Sequence, residues 1–148
     1  MIVTRSLRSI AKMIDHSLLH PTLTDQDLIE GCQLALRHDV ASVCIKPYAV
    51  PLAQEILSGS DVKVGTVVGF PHGNSRIEVK LKEAELALAD GAVELDMVVN
   101  IGKVLSNDWP YVSDEIRLLS ELGVSQGALL KVIFENDFLS SDAYKSKL

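Results

Sequence analysis

The sequence predicts an α/β fold with helices packed over a parallel sheet. Segments of strand character alternate with segments of helical periodicity from end to end, which is the pattern of successive β/α units. The strand segments are apolar along their whole length, as suits strands covered on both faces. The few ionisable residues inside them stand among apolar neighbours: Lys131 in Ala128-Leu129-Leu130-Lys131-Val132-Ile133-Phe134, and Glu94 and Asp96 in Val93-Glu94-Leu95-Asp96-Met97-Val98-Val99. Charged side chains are seldom buried unless they are paired or in use. In parallel α/β sheets the polar groups near the C-terminal strand ends form the site. An acid on one strand and an amine on a later one point to carbon-acid or carbonyl chemistry.

Residues 13–18 read as a short first strand. Thr24 with Asp27 forms an acidic variant of a capping box, opening a helix that turns Leu28, Ile29, Cys32, Ala35 and Leu36 inward. Residues 41–46 make the second strand, followed by a short helix through Ala53, Ile56 and Leu57 that ends near Gly59. Pro51 is tolerated there because it falls in the first turn. The valine-rich residues 62–69 make the third strand. Ser75-Arg76-Ile77-Glu78 reads as a second capping box, with Ile77, Leu81, Ala84 and Leu88 following at helical spacing and Gly91 as the stop. The fourth strand is 93–99. Asn107 or Asp108 then caps a helix with Pro110 in its first turn and Val112, Ile116 and Leu119 inward, running to Gly123. Residues 129–134 make the fifth strand. Another helix starts after Ser140, and the sequence stops at Leu148 after about two turns at 3.6 residues per turn. With no glycine stop and no strand to follow, the ending is expected to be an interruption. No linker or low-complexity tract divides the chain, so residues 1–148 are expected to form one domain.

A chain of 148 residues can bury a proper core. Its net charge of −6 argues against nucleic acid or an anionic membrane as the main partner, though not against a small phosphorylated metabolite. Cys32 and Cys44 lack metal-ligand spacing and fit a reducing, cytoplasmic setting. No apolar run approaches the roughly 20 residues of a membrane span. Arg5, Arg8 and Lys12, with no acid among them, give the N-terminus the look of a weak transit peptide. The preferred reading is a short amphipathic helix, with Ile2, Leu7, Ile10 and Met13 loosely on one face, closing the bottom of the fold.

Side chains alternate along a strand, so Glu94, Asp96 and Val98 share one face, and Lys131, Ile133 and Glu135 share another. The same phase groups Asp15 with Met13 and Ser17, and Cys44 with Ser42 and Lys46. If Asp96 and Lys131 face one interior, they meet from adjacent strands at similar height. A buried acid–lysine network that only fixes strand register would share this pattern. The segment Gly69-Phe70-Pro71-His72-Gly73-Asn74 leads into a helix and could bind phosphate there, but a tight turn needing two glycines is the preferred reading. His72 reads as a surface residue, and His16, His20 and His38 form no ligand spacing, so no metal is expected.

Four motifs in order carry a family resemblance. Ile14-Asp15-His16-Ser17-Leu18-Leu19-His20-Pro21-Thr22, Gly69-Phe70-Pro71-His72-Gly73, Glu94-Leu95-Asp96-Met97-Val98-Val99-Asn100-Ile101-Gly102 and Leu130-Lys131-Val132-Ile133-Phe134-Glu135 resemble the successive strand motifs of the 2-deoxyribose-5-phosphate aldolases. The likeness runs from about Ile10 to the last residue. It implies a TIM (β/α)8-barrel, of which this chain holds about five β/α units. It implies a class I, cofactor-free lyase that cleaves 2-deoxy-D-ribose 5-phosphate to glyceraldehyde 3-phosphate and acetaldehyde, in deoxyribonucleotide catabolism. A homo-oligomer is compatible with it.

The resemblance gives Asp96 a part in proton transfer and Lys131 an assisting place in the site. Asp15 and Cys44 match pocket residues, and Phe70 matches a residue of the loop above the pocket. Spacing alone would make Lys131 the Schiff-base amine, since desolvation lowers a lysine's pKa and frees its lone pair. The resemblance instead puts that lysine on a sixth strand, in a Val-Lys-Thr-Ser-Thr-Gly type motif, and a helper lysine on the seventh. The sequence contains neither, nor the late glycine loops that bind phosphate. The chain alone is therefore expected to be inactive, as a fragment or a truncated gene model. Two other readings compete. A doubly wound signalling domain would need a phosphoacceptor aspartate after the third strand, where Gly69-Phe70-Pro71 stands. A non-catalytic remnant would bind a full-length homologue.

Overall fold

The computed structural model describes residues 6–139 and 142–148. Five strands, β1 (Asp15–Leu18), β2 (Ser42–Ile45), β3 (Lys63–Val68), β4 (Glu94–Val98) and β5 (Leu129–Ile133), lie parallel in the order β1-β2-β3-β4-β5. The register pairs Asp15 with Ser42, Ser17 with Cys44, Cys44 with Gly65, Val67 with Asp96, and Asp96 with Lys131. These residues therefore share one face of the sheet. The consecutive order also disposes of the signalling-domain alternative, whose doubly wound sheet runs 2-1-3-4-5.

The sheet is strongly curled. Four steps of about 4.8 Å would hold β1 and β5 some 19 Å apart in a flat sheet. Yet Lys131 Nζ on β5 lies 2.9 Å from Asp15 Oδ2 on β1. Only a wall bent around this face brings the two edges within reach of one side chain. The face that carries Asp15, Asp96 and Lys131 is thus concave, as in a barrel.

The convex face is the apolar one. Val43, Ile45, Val64, Val68, Leu95 and Met97 are buried against the helices. Helix α2 (Asp25–His38) starts from the expected box: the Thr24 side chain accepts from Asp27 N–H, and Asp27 Oδ2 accepts from Thr24 N–H at 2.7 Å. Leu28, Cys32 and Ala35 are buried, whereas Leu36 falls at the rim of that stripe and remains 40% exposed. Helix α3 (Val50–Leu57) carries Pro51 in its first turn. Helix α6 (Trp109–Ser125) is capped by Asp108, and it runs past Gly123 to Ser125.

Several expectations need correction. The box at Ser75-Arg76-Ile77-Glu78 does not form: α4 (Ile77–Ala89) has Arg76 at its N-cap with no side-chain cap bond, one residue later than the pattern placed it. Glu78 turns instead to the Arg76 guanidinium at 3.3 Å. The inward face of α4 includes Lys80, fully buried beside Ala84 and Ala87. Three short elements are absent from the sequence reading: 3₁₀ turns at Pro47–Ala49 and Asn136–Phe138, and helix α5 (Ile101–Leu105). The amphipathic helix at the start exists as α1 (Leu7–Ala11), but Leu7 is 87% exposed and buries nothing. It is held by charge, with Arg8 and Lys12 both on Asp39. Ile2 and Arg5 lie outside the described residues. A last short helix, α7 (Asp142–Lys145), follows β5. Among the described residues no helix is long and apolar enough to cross a membrane.

The β3–α4 connection does need its two glycines. Gly69 and Gly73 have φ of +64° and +66°, and a Cβ on Gly73 would strike the Val99 carbonyl. That contact is with backbone, which cannot swing aside. Gly73→Ala should therefore lower unfolding stability by about 3 kcal/mol, read as a fall in the urea midpoint. An unchanged midpoint would show that the β4 exit can give way.

Candidate active site

Lys131 is the centre of the concave face. Its Nζ lies 2.9 Å from Asp15 Oδ2, 3.0 Å from Glu94 Oε2 and 3.0 Å from Asp96 Oδ1. Strand phase explains the gathering: Glu94 and Asp96 are two apart on β4, and Asp96 is directly paired with Lys131. Gly65, opposite Glu94, leaves room, since a Cβ there would sit 3.1 Å from Glu94 Cβ. Ser42 Oγ donates to the other oxygen of Asp15 at 2.6 Å.

The electrostatics follow from these contacts. The Ser42 hydrogen bond, helped by Lys131 against the cost of burial, holds the Asp15 carboxyl below its ordinary range. Burial alone would push the Lys131 ammonium down, but its bonds to Asp15, Glu94 and Asp96 outweigh that, and its pKa is raised. A lysine held protonated has no lone pair with which to attack a carbonyl. It can fix the carboxylates, keep Asp96 oriented and neutralise charge. Cys44, beneath the cluster, is 5% exposed, and its thiol is pushed up to about 12 by burial and then by the Asp96 carboxylate.

Four of the five site residues expected from the sequence, Asp15, Cys44, Asp96 and Lys131, thus converge on one face. Phe70 stays apart, 43% exposed in the loop beyond β3. Glu94 and Ser42 were readable as members of that face, but no motif assigned them a role. Their contacts with Lys131 and Asp15 make them part of the cluster. His72 is exposed. Among the described residues no group of three or more His, Cys, Asp or Glu side chains is placed to hold a metal ion. The centre of the three carboxylates is occupied by the ammonium.

A parallel β/α wall with an acid–amine cluster on its concave face is the architecture of the barrel enzymes. Residues 9–135 match the family described as DeoC/LacD family aldolase, and the chain belongs to that family. The "Deoxyribose-phosphate aldolase" of Rhodopirellula baltica is 50% identical over 139 residues, covering 94% of this chain and 57% of that protein. The protein of the same name from Thermococcus gammatolerans is 45% identical over 135 residues, covering 90% and 60%. A solved deoxyribose phosphate aldolase from Aeropyrum pernix, described as a unique tetramer, superposes with a TM-score of 0.87 at 33% identity, covering 97% of this chain and 59% of that one. The chain thus spans somewhat more than half the length of the relatives it matches, and its five strands make part of a barrel.

The thiols give a direct test of the buried face. With Cys44 at about 12 and Cys32 raised to about 11 by burial, the thiolate fraction at pH 8 is small and grows as pH rises. Alkylation of Cys44 in the folded chain at pH 8 should be about 1000-fold slower than in urea. Equal rates in both would mean that the concave face is open to reagent.

Proposed function

We propose that this chain carries the acid–base wall of a 2-deoxyribose-5-phosphate aldolase site. Asp96 moves protons at the sugar hydroxyl and at the enamine carbon, and Lys131 assists by holding that carboxylate in place. Asp15 and Cys44 line the pocket floor, and Phe70, apart from the cluster in the loop beyond β3, matches the family's residue in the loop above the pocket. The observation that carries the reading is one lysine amine shared by three carboxylates from β1 and β4. The names of the curated relatives support the substrate, a small phosphorylated sugar. The tetramer described for the Aeropyrum pernix enzyme supports assembly into homo-oligomers. A cytoplasmic, catabolic setting belongs to the same reading.

The chemistry defines what this wall supplies. A lysine amine attacks the sugar carbonyl and loses water to form an iminium. The carbon–carbon bond then breaks, its electron pair passing into the iminium to give an enamine. A base takes the proton of the departing hydroxyl, and an acid returns one to the enamine carbon. Lys131, held as an ammonium, is unsuited to the first step, and Asp96 is suited to the proton transfers. The 148 residues contain no lysine in a Val-Lys-Thr-Ser-Thr-Gly setting. On this reading the amine belongs to another part of the barrel.

The 148-residue chain should therefore show no cleavage of 2-deoxyribose 5-phosphate, and borohydride with substrate should trap no adduct on it. Joined to the late strands of a curated relative it should do both. Asp96→Asn in that joined protein should lower kcat by about 100-fold or more while substrate binding changes little. A trapped adduct on Lys131 of the short chain would overturn the assignment of roles.

A further inference from the structure

Behind the sheet lies a second charged device with no part in the cluster. Lys80 on α4 and Glu115 on α6 are both fully buried, and Lys80 Nζ meets Glu115 Oε1 at 2.5 Å. Burial presses the Lys80 amine toward its neutral form, and the Glu115 carboxylate opposes that. An isolated buried pair is weak evidence for stability, because apolar residues of like volume often replace one at no cost. What sets this pair apart is where its remaining bonds go. Lys80 Nζ donates to the Val98 carbonyl at 2.6 Å, and Glu115 Oε2 accepts from Asn100 N–H at 2.9 Å. Both are backbone groups where the chain leaves β4, two and four residues beyond Asp96.

The neighbouring exit is held from the same helix. Glu83, one turn after Lys80 on α4, accepts from Gly69 N–H at 2.7 Å as the chain leaves β3. A Cβ on Gly69 would stand 2.6 Å from Lys80 Cε, so the lysine stem packs directly under that turn. Gly73 in turn abuts the Val99 carbonyl. The exits of β3 and β4 are therefore tied to each other and to one buried ion pair.

We propose that Lys80 and Glu115 are positioning residues for the concave face: by fixing the exit of β4 from behind, they hold Asp96 at Lys131 and the Phe70 loop beside it. Their bearing on turnover rests on the aldolase reading; the positioning itself does not. The test accordingly reads no sugar chemistry, so that its failure is distinct from failure of that reading.

The variant K80M/E115L in the 148-residue chain replaces the pair with apolar groups of similar volume. Residue-resolved amide exchange and the titration of the Lys131 ammonium by NMR are the readouts. Exchange at Gly69, Gly73, Val99 and Asn100 should quicken about tenfold while β1 and β2 keep their rates. The Lys131 midpoint should fall toward that of an ordinary lysine as Asp96 loosens. An unchanged Lys131 midpoint, whatever the exchange rates, would mark the pair as a structural strut and overturn the proposal. So would equal quickening in all strands. Should K80M/E115L fail to fold, Glu115→Gln, which keeps the shape and an acceptor for Asn100, is judged by the same two readouts. Loss of folding in Glu115→Gln as well would show that the charge sustains the whole fold and would overturn it too.

Discussion

The contact between Lys131 and Asp15 is the constraint on which the rest depends. These residues come from the two outermost strands of a sheet whose strands follow one another in order. An ion pair between them at 2.9 Å is open only to a sheet bent nearly around its own polar face. Once the wall is bent, Glu94 and Asp96 fall within reach of the same ammonium, and Cys44 is sealed below them. Sheet curvature and the charge state of the site are thus one fact seen from two sides. A flat sheet would leave Lys131 with its β4 neighbours alone.

The fold meets the cost of that arrangement with apolar packing behind it. Strands β2, β3 and β4 bury valine, leucine, isoleucine and methionine against α2, α3, α4 and α6. Among the described residues the one charged intrusion in that layer is Lys80 with Glu115, and each partner also bonds the backbone at the β4 exit. Buried charge is tolerated where every donor and acceptor is used. On the concave face the opposite regime holds, since Lys131 and Asp15 retain partial exposure.

Much of this was legible in the sequence, for a definite reason. A strand has period 2, so the phase of Asp15, Cys44, Asp96 and Lys131 within their strands placed them on one face before any coordinates. The Thr24 cap, and a cap at Asn107 or Asp108, were readable because capping depends on adjacent residues. What was hidden involved distant elements. Phase puts Asp15 and Lys131 on one face but does not say that the edges curl until they touch. Lys80 sits in Val79-Lys80-Leu81-Lys82 and Glu115 in Ser113-Asp114-Glu115, and the inward faces assigned to these helices from periodicity include neither. Only the register of Lys80 with Ala84 and Ala87 hinted that it turned inward. Helix α4 starts one residue later than the capping pattern placed it, after a turn in which Gly69 and Gly73 take positive φ and with no side-chain cap at Arg76.

Membership of the DeoC/LacD aldolase family and the curled wall are consistent with each other, because a barrel segment with interior acid and amine is what such an enzyme requires. Lys131 couples β5 to β1 across the concave face. A double-mutant cycle on unfolding stability with Asp15→Asn and Lys131→Met tests it most directly. A coupling energy above about 0.5 kcal/mol is expected between these residues on opposite edges of the sheet. Effects that add to within about 0.3 kcal/mol would mean that the two side chains do not meet and that the wall is open.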